Sequence, residues 1–279
     1  MMFWNKITRT WSLMLESWEV LMQDKTLLIF PLISGICCLL LLASYLIPLV
    51  VTHHWMPPSR DAAPIHQVAY YGGLFSFYVA NYFIVIFFNA AIVACAAERM
   101  TGGNPTVADG LRAAAHRLPV IAGWALVSAT VGLILQIIED RSDKIGQIIA
   151  GLLGTAWTIM TFLVVPIIVI ENKNPFAAIG DSTALLKKTW GEQLINNFSF
   201  GGIFFLLSLP GIALIILSIY LGHGLPIIIC TVIAVVYFIV LALINSALHA
   251  IFQTALYLYA RDGQVPNGFR AEVLESAMG

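Results

Sequence analysis

Charged side chains are scarce in this chain. Of its 279 residues only 10% are Asp, Glu, Lys or Arg, whereas 59% are hydrophobic and the mean hydropathy is +0.88. A soluble domain carries about 25% charged residues, so this chain has too few to cover a surface that faces water. We therefore predict that lipid is its main solvent. The net charge of −1 gives no electrostatic reason to expect nucleic acid as a partner.

The familiar motifs of catalysis are missing as well. The sequence has no Gly-x-Ser-x-Gly turn, P-loop, dinucleotide-binding fingerprint or His-Glu-x-x-His helix. We predict a protein that is not an enzyme and holds no cofactor. Cysteine is sparse, and all four residues lie within apolar runs, where a thiol usually packs as a small hydrophobe. They are Cys37, Cys38, Cys95 and Cys230.

The residues 52–69 hold three of the six histidines, His53, His54 and His66. Two of these histidines are adjacent, and a proline-rich connection does not fix the tetrahedral geometry that a metal requires. We therefore predict no metal site.

Six apolar segments are long enough to cross a bilayer, whose core of about 30 Å requires roughly 20 apolar residues per helix. They are Thr26–Val51, Tyr71–Ala97, Val120–Ile138, Ile145–Ile170, Leu194–Leu221 and Pro226–Ala260. The fold class predicted from the sequence is an all-α integral membrane protein with six transmembrane helices.

The distribution of basic residues between the connections predicts the orientation. Connections on one side contain eleven Lys and Arg residues and connections on the other side contain three, and the richer side is normally cytoplasmic. The eleven are Lys6, Arg9, Lys25, Arg99, Arg112, Arg117, Lys173, Lys187, Lys188, Arg261 and Arg270. Both termini are thereby predicted to be cytoplasmic.

Three further segments on the basic side resemble amphipathic helices that do not span: about 3–23, 104–117 and 174–190. In the first, Trp4, Trp11 and Trp18 are spaced seven residues apart, with Glu16 largely on the opposite, polar side. Tryptophan favours the headgroup level of a membrane, so this helix is predicted to lie in the interface. The alternative is a helix packed on the rest of the protein.

Each of the other two segments starts with an Asn-Pro step, Asn104-Pro105 and Asn174-Pro175. Asparagine is a common N-cap, and proline fits the first helical turn, so both asparagines are predicted to cap. Basic residues close to these helices suit contacts with lipid headgroups. The predicted contacts are Trp4, Trp11, Trp18, Arg99, Arg112, Arg117, Lys187 and Lys188.

This order of elements forms a repeat. Each unit is an amphipathic helix followed by a transmembrane hairpin, at about 1–100, 103–172 and 173–261, within a single membrane domain of residues 1–265. A short cytoplasmic tail, 266–279, is predicted to be either a short helix or disordered.

Polar residues recur every fourth position of the sixth span, at Asn245, His249, Gln253 and Tyr257. Two asparagines of the second span, Asn81 and Asn89, are placed to face them. Polar groups in hydrocarbon face a bundle interior or water. The stripe is therefore either a path for a solute or proton, or a set of interhelical hydrogen bonds.

The fourth span carries small residues at spacing four, Gly146, Ala150 and Gly154. This pattern is typical of a close helix contact, either within the chain or between two copies. Pro166 is predicted to bend the same span, and Glu171 at its end is predicted to pair with Lys173.

Scattered positions resemble a family of bacterial and archaeal multi-pass membrane proteins that contain a domain of unknown function. They are Trp11, Ser17, Leu21, Asp24-Lys25, Phe30-Pro31, the region of Asn89, Gly102 to Pro105, Pro166 to Glu171, and Thr189-Trp190-Gly191. The layout is also similar to the membrane domain ahead of some glycerophosphodiester phosphodiesterases. The resemblance implies this architecture and a bacterial or archaeal origin, hence the cytoplasmic (inner) membrane, but no activity.

Three functions fit these features. The first is a non-enzymatic, oligomeric scaffold or membrane-organising module, with lipids and further copies of the chain as partners and no protein partner indicated. The second is a channel or transporter lined by the sixth span. The third is a lipid-binding or lipid-handling protein at the cytoplasmic interface.

Overall fold

The described residues of the computed structural model form helices that are joined by short turns and connections. The structure describes residues 2–51, 64–141, 144–189, 200–220, 224–272 and 274, and this part of the chain contains no β-strand. Its helices are α1 (Met2–Gln23), α2 (Ile29–Val51), α3 (Pro64–Met100), α4 (Val107–His116), α5 (Leu118–Arg141), α6 (Lys144–Met160), α7 (Val164–Glu171), α8 (Pro175–Thr189), α9 (Phe200–Tyr220) and α10 (Leu225–Asp262). A 3₁₀ turn, Lys25–Leu28, joins α1 to α2.

Six helical stretches within the described ranges are long and apolar enough to cross a membrane. They are Lys25–Pro48, Ile65–Met100, Leu118–Glu139, Lys144–Glu171, Gly202–Tyr220 and Leu225–Asp262. Each coincides with one predicted span, so the prediction of an all-α protein with six apolar helices long enough to span a membrane is confirmed. The second stretch begins six residues earlier than predicted, because the helix continues through the polar residues His66 and Gln67. Residues 194–199 of the predicted fifth span lie outside the described residues.

The fourth span is two helices rather than one bent helix. The α-helix stops at Met160 and resumes at Val164, two residues before Pro166. Proline therefore lies in the first turn of α7, where its missing N–H removes no helical hydrogen bond. At the break, the Leu163 N–H donates to Ser182 Oγ at 3.1 Å, and Ser182 is fully buried. The hydroxyl of Ser182 in α8 thus accepts a hydrogen bond from a backbone N–H that the break leaves without a helical partner.

The small residues of α6 pack within the chain. Ala150 is buried, and a Cβ on Gly154 would lie 3.8 Å from Leu135 of α5. Further along the hairpin, Trp124 and Trp157 stack with ring centroids 5.9 Å apart. The sequence pattern allowed a helix contact within the chain or between two copies, and the structure shows a contact within the chain.

Helices α9 and α10 form a second close hairpin. A Cβ on Gly211 would lie 2.7 Å from Phe238 and 2.9 Å from Tyr237, so a larger residue would require these rings to shift. The Tyr237 hydroxyl donates to the Leu207 carbonyl, one turn before Gly211. Pro210 already interrupts the helical hydrogen bonding at this point of α9.

The two asparagines predicted as helix caps differ. Asn174 caps α8, since its side chain accepts from the Ala177 N–H at 2.9 Å. Asn104 does not cap α4, because Thr106 and Asp109 form a reciprocal capping box there. Hydrogen bonds from the Thr106 hydroxyl and then the Thr106 backbone lower the pKa of Asp109.

The predicted pair of Glu171 and Lys173 is present just before α8. Lys173 Nζ lies 2.6 Å from Glu171 and 2.7 Å from Asp181. Hydrogen bonds to Asp181 and then to Glu171 raise the pKa of Lys173. The three residues are partly exposed, so this arrangement fixes the local chain path more than it stabilises the fold.

The chain divides into two compact units. The first comprises residues 1–29, 96–104 and 186–279, and the second comprises residues 30–95 and 105–185. The first unit therefore holds α1, the end of α3, the α9–α10 hairpin and the tail. The second holds most of α2 and α3, and α4 to α7.

Candidate functional site

Helix α1 has three distinct faces. Successive residues turn about 100° around the axis, which places Leu13, Ser17, Val20 and Leu21 on one side. All four are buried, and this side packs on α10 within the first unit. A polar strip of Ser12, Glu19 and Gln23 runs along a second side.

The third face of α1 is apolar and exposed. Trp11, Leu15, Trp18 and Met22 lie within about 60° of one another around the axis, and each is between 37% and 44% exposed. We call these four residues the α1 stripe. Contact between water and a continuous row of large apolar side chains is unfavourable. Such rows are typical of surfaces that meet lipid or a protein partner. The side chain of Trp4 lies outside the described part of the chain.

A buried ion pair fixes the end of α1. Asp24 is 5% exposed at its side chain, and its carboxylate lies 3.3 Å from the guanidinium of Arg99, at the end of α3. The same carboxylate caps the 3₁₀ turn by accepting from the Thr26 N–H at 3.2 Å. Within the described residues, Arg99 Nε has no hydrogen-bond partner. The Asp24 carboxylate therefore has two roles at the end of α1: it pairs with Arg99 of α3 and it caps the 3₁₀ turn.

A second acidic residue joins α1 to the tail. Glu16 is buried, and its carboxylate accepts from Arg270 Nε at 2.7 Å. The sequence placed Glu16 largely on the polar side of α1, and the structure shows that its side chain is nevertheless buried. The pair also raises the pKa of Arg270. A buried carboxylate is costly unless it is paired, and among the described residues Arg270 of the tail provides the cation.

The tail is packed rather than detached. Pro266, Phe269 and Leu274 are buried, and the Asn267 N–H donates to the Met100 carbonyl at 3.1 Å. Gly268 has a φ of +91°, and a Cβ there would lie 2.6 Å from Val20 of α1. The described residues of the tail thus pack closely against α1 in the first unit.

The polar stripe of α10 crosses two environments. Asn245 is exposed, His249 is mostly buried, and Gln253 and Tyr257 are buried. The buried half belongs to the stretch that packs on α1, and the ring of Tyr257 stacks under the guanidinium of Arg261 at 5.4 Å. Asn81 and Asn89 are half-buried and lie in the other compact unit. Whether these six residues line a path therefore stays a prediction.

Comparison with known proteins identifies one family. A model described as a family of unknown function, DUF6159, matches residues 68–268, which is more than half of the chain. The chain belongs to this family. No curated protein and no solved structure shows significant similarity to it. The resemblance found in the sequence, to a membrane protein family without an assigned function, is confirmed at that level.

The family match runs from α3 to the start of the tail. It includes Arg99 but neither of the acidic partners on the N-terminal side, Glu16 and Asp24, nor the α1 stripe. It ends two residues before Arg270. Asp24, which lies outside the matched region, thus pairs with Arg99 at the end of α3. Glu16, which also lies outside it, pairs with Arg270 of the tail.

The basic residues predicted to contact lipid headgroups differ in how free they are. Arg99 is engaged by Asp24, and Arg117 Nε donates to the Val169 carbonyl at 3.3 Å. Arg112 pairs with Asp109 at 3.1 Å in an exposed position. Lys187 and Lys188 are exposed at the end of α8. Whether any of these residues meets an anionic headgroup stays a prediction.

No group of three His, Cys, Asp or Glu side chains is placed to hold a metal ion in the part of the chain that the structure describes. His66 lies at the exposed start of α3, and His53 and His54 lie outside the described residues. The predicted lack of a metal site in that connection therefore stays a prediction.

The sequence did not reveal the two ion pairs. Glu16 and Arg270 are separated by 254 residues, and a helical wheel of α1 alone placed Glu16 among the polar residues. The available signal was the position of Asp24 and Arg99, which are charged residues at the ends of predicted spans. Such charges are costly near hydrocarbon unless they are paired.

Proposed function

We propose that the protein is a non-enzymatic membrane-organising module that assembles into oligomers. The observation that carries this proposal is the construction of α1. One face is fixed to the protein by buried apolar residues and two ion pairs, while the α1 stripe stays exposed beside a polar strip. A helix with these faces suits the boundary between headgroups and acyl chains.

The fixed position of α1 determines what the α1 stripe would do in a bilayer. An amphipathic helix that binds reversibly inserts and leaves, whereas this helix is part of the folded protein. It would occupy headgroup space in one leaflet permanently. Association of several copies would share the disturbed lipid between them, and lipid mismatch of this kind is known to favour helix association. Assembly in the membrane follows from that physical argument.

The orientation and origin belong to the same proposal. The excess of basic residues supports an orientation with both termini cytoplasmic. The resemblance to bacterial and archaeal membrane proteins supports a cytoplasmic (inner) membrane. Helices α1, α4 and α8 each precede a pair of spans, which supports three repeats with an interfacial helix in each. Similarity of this layout to the membrane domain of some glycerophosphodiester phosphodiesterases is part of the proposal.

The test counts copies of the chain in liposomes of phosphatidylethanolamine and phosphatidylglycerol. Singly labelled protein is diluted in lipid, and photobleaching steps are counted for each fluorescent spot. We expect several copies per spot for the wild type, and a shift toward single copies when the α1 stripe is replaced by serine at positions 11, 15 and 18. Removing these apolar groups removes the hydrocarbon contact that would disturb the leaflet.

A matched control changes the polar strip of the same helix. Alanine at positions 12, 19 and 23 leaves the α1 stripe intact, and we expect the number of copies to stay at the wild-type value. A wild-type protein that is monomeric at every lipid dilution would contradict the proposal. Equal effects of the two triple variants would also contradict it, because the face of α1 would then be irrelevant.

A further inference from the structure

A groove runs between α2 and α3 in the second unit, near the ends of the two helices that approach residues 52–63. Its volume is about 400 Å³, and its walls include Leu42, Tyr45 and Pro48 of α2 and Tyr70, Gly73 and Phe77 of α3. The groove exists at this point because Gly73 carries no side chain. A Cβ added to Gly73 would meet no atom within 4 Å.

Two hydroxyl groups at the groove, those of Tyr45 and Ser76, satisfy each other. The Tyr45 and Ser76 hydroxyls are 2.8 Å apart, and Ser76 Oγ also donates to the Gly73 carbonyl at 2.8 Å. The ring of Tyr45 meets Phe77 edge-on, with centroids 5.3 Å apart. What the walls offer an occupant is therefore mainly apolar surface, which favours hydrocarbon over a polar solute.

The position along the helices identifies the source of that hydrocarbon. Leu42 and Pro48 lie 13 and 19 residues beyond Ile29, or about 20 to 28 Å along the axis of α2. Both helices are long and apolar enough to span a membrane, so in a bilayer core of about 30 Å the groove would lie in the leaflet far from Ile29. Lipid of that leaflet would then surround the groove.

We propose that one acyl chain of a phospholipid from this leaflet binds in the groove. An apolar groove that is left empty forfeits dispersion contacts along its walls, and a chain lying in it restores them. The site recognises the extended hydrocarbon rather than the headgroup. It is separate from α1 and does not depend on the proposed oligomer.

The experiment uses the full-length protein in phosphatidylethanolamine–phosphatidylglycerol liposomes with a trace of phosphatidylcholine that carries a diazirine in one acyl chain. After illumination, mass spectrometry maps the labelled peptides. We expect the label to concentrate on residues 42–48 and 69–77. Gly73→Leu fills the groove, and we expect it to lower labelling there by about tenfold, the ratio that corresponds to about 1.4 kcal/mol.

Gly72→Leu is the matched control. Gly72 is the neighbouring residue of α3, its added Cβ also meets nothing within 4 Å, and it is not part of the groove wall. We expect wild-type labelling. Ala69→Leu, a second change in the wall, is expected to reduce labelling as Gly73→Leu does.

Three results would overturn the proposal. The first is labelling of Gly73→Leu at the wild-type level. The second is an equal loss in Gly72→Leu. The third is wild-type label that does not concentrate on residues 42–48 and 69–77. Helicity and elution volume, measured on every variant, ensure that a loss of label is not a loss of fold.

Discussion

Replacing Asp24 with alanine is expected to lower the free energy of unfolding by about 3 kcal/mol, the lower end of the cost of breaking a buried ion pair. The side chain of Asp24 is 5% exposed, whereas the side chain of Arg99 is 24% exposed. Because Arg99 still contacts solvent, we expect a value at the lower end of that range. The change also removes the cap of the 3₁₀ turn. Thermal unfolding in detergent, together with hydrogen exchange of α1, measures the effect.

Two variants separate the charge from the cap. Asp24→Asn keeps a side-chain oxygen that can accept from the Thr26 N–H, so we expect it to lose less stability than Asp24→Ala. Combining Asp24→Asn with Arg99→Gln removes both charges together, and we expect this double variant to be more stable than the sum of the single changes predicts. Additive effects would show that the two side chains are not coupled.

Gly110→Ala is expected to destabilise the second unit by about 2 kcal/mol, as overpacking of a tight contact does. Gly110 lies in the middle of α4, where a Cβ would lie 2.5 Å from Cys95 Sγ, 2.8 Å from Phe30 and 2.9 Å from the Ala91 carbonyl. Side chains can rotate away from a new methyl group, but the backbone of α3 cannot. We therefore expect α4 to be displaced from α3 and to exchange its amide hydrogens faster.

Gly180→Ala is the matched control for this change. Gly180 lies within α8, and a Cβ there would meet nothing within 4 Å. The same substitution should raise stability slightly, by about 0.5–1 kcal/mol, because alanine loses less backbone entropy than glycine in a helix. If the two variants changed stability with the same sign, the close approach of α4 and α3 at Gly110 would be wrong.

The spans were predictable because hydrophobic length is a local property. The apolar length that defines each predicted segment is contained in about 20 consecutive residues, and each segment coincides with an apolar helical stretch of the structure. The Asn174 cap was also predictable, since cap and helix start are adjacent. The same rule failed at Asn104, because Thr106 two residues later forms a better cap with Asp109.

Features that depend on distant residues were not predictable from the pattern. The wheel of α1 shows one broad apolar side, but packing divides it. Met14 and Leu21 are buried, whereas Trp11 and Trp18 are exposed. The break at Leu163 depends on Ser182, and the burial of Glu16 depends on Arg270. A single sequence contains no signal that brings such pairs together.

The depth of α1 in the membrane tests the central claim most directly. A nitroxide side chain is introduced genetically at position 18, in the α1 stripe, or at position 19, in the polar strip, of protein in liposomes. Collision with oxygen, which concentrates in hydrocarbon, is then compared with collision with a water-soluble nickel complex. We predict that oxygen dominates at position 18 and nickel at position 19. Dominance of nickel at both positions would contradict the account, because α1 would then lie in water away from the bilayer.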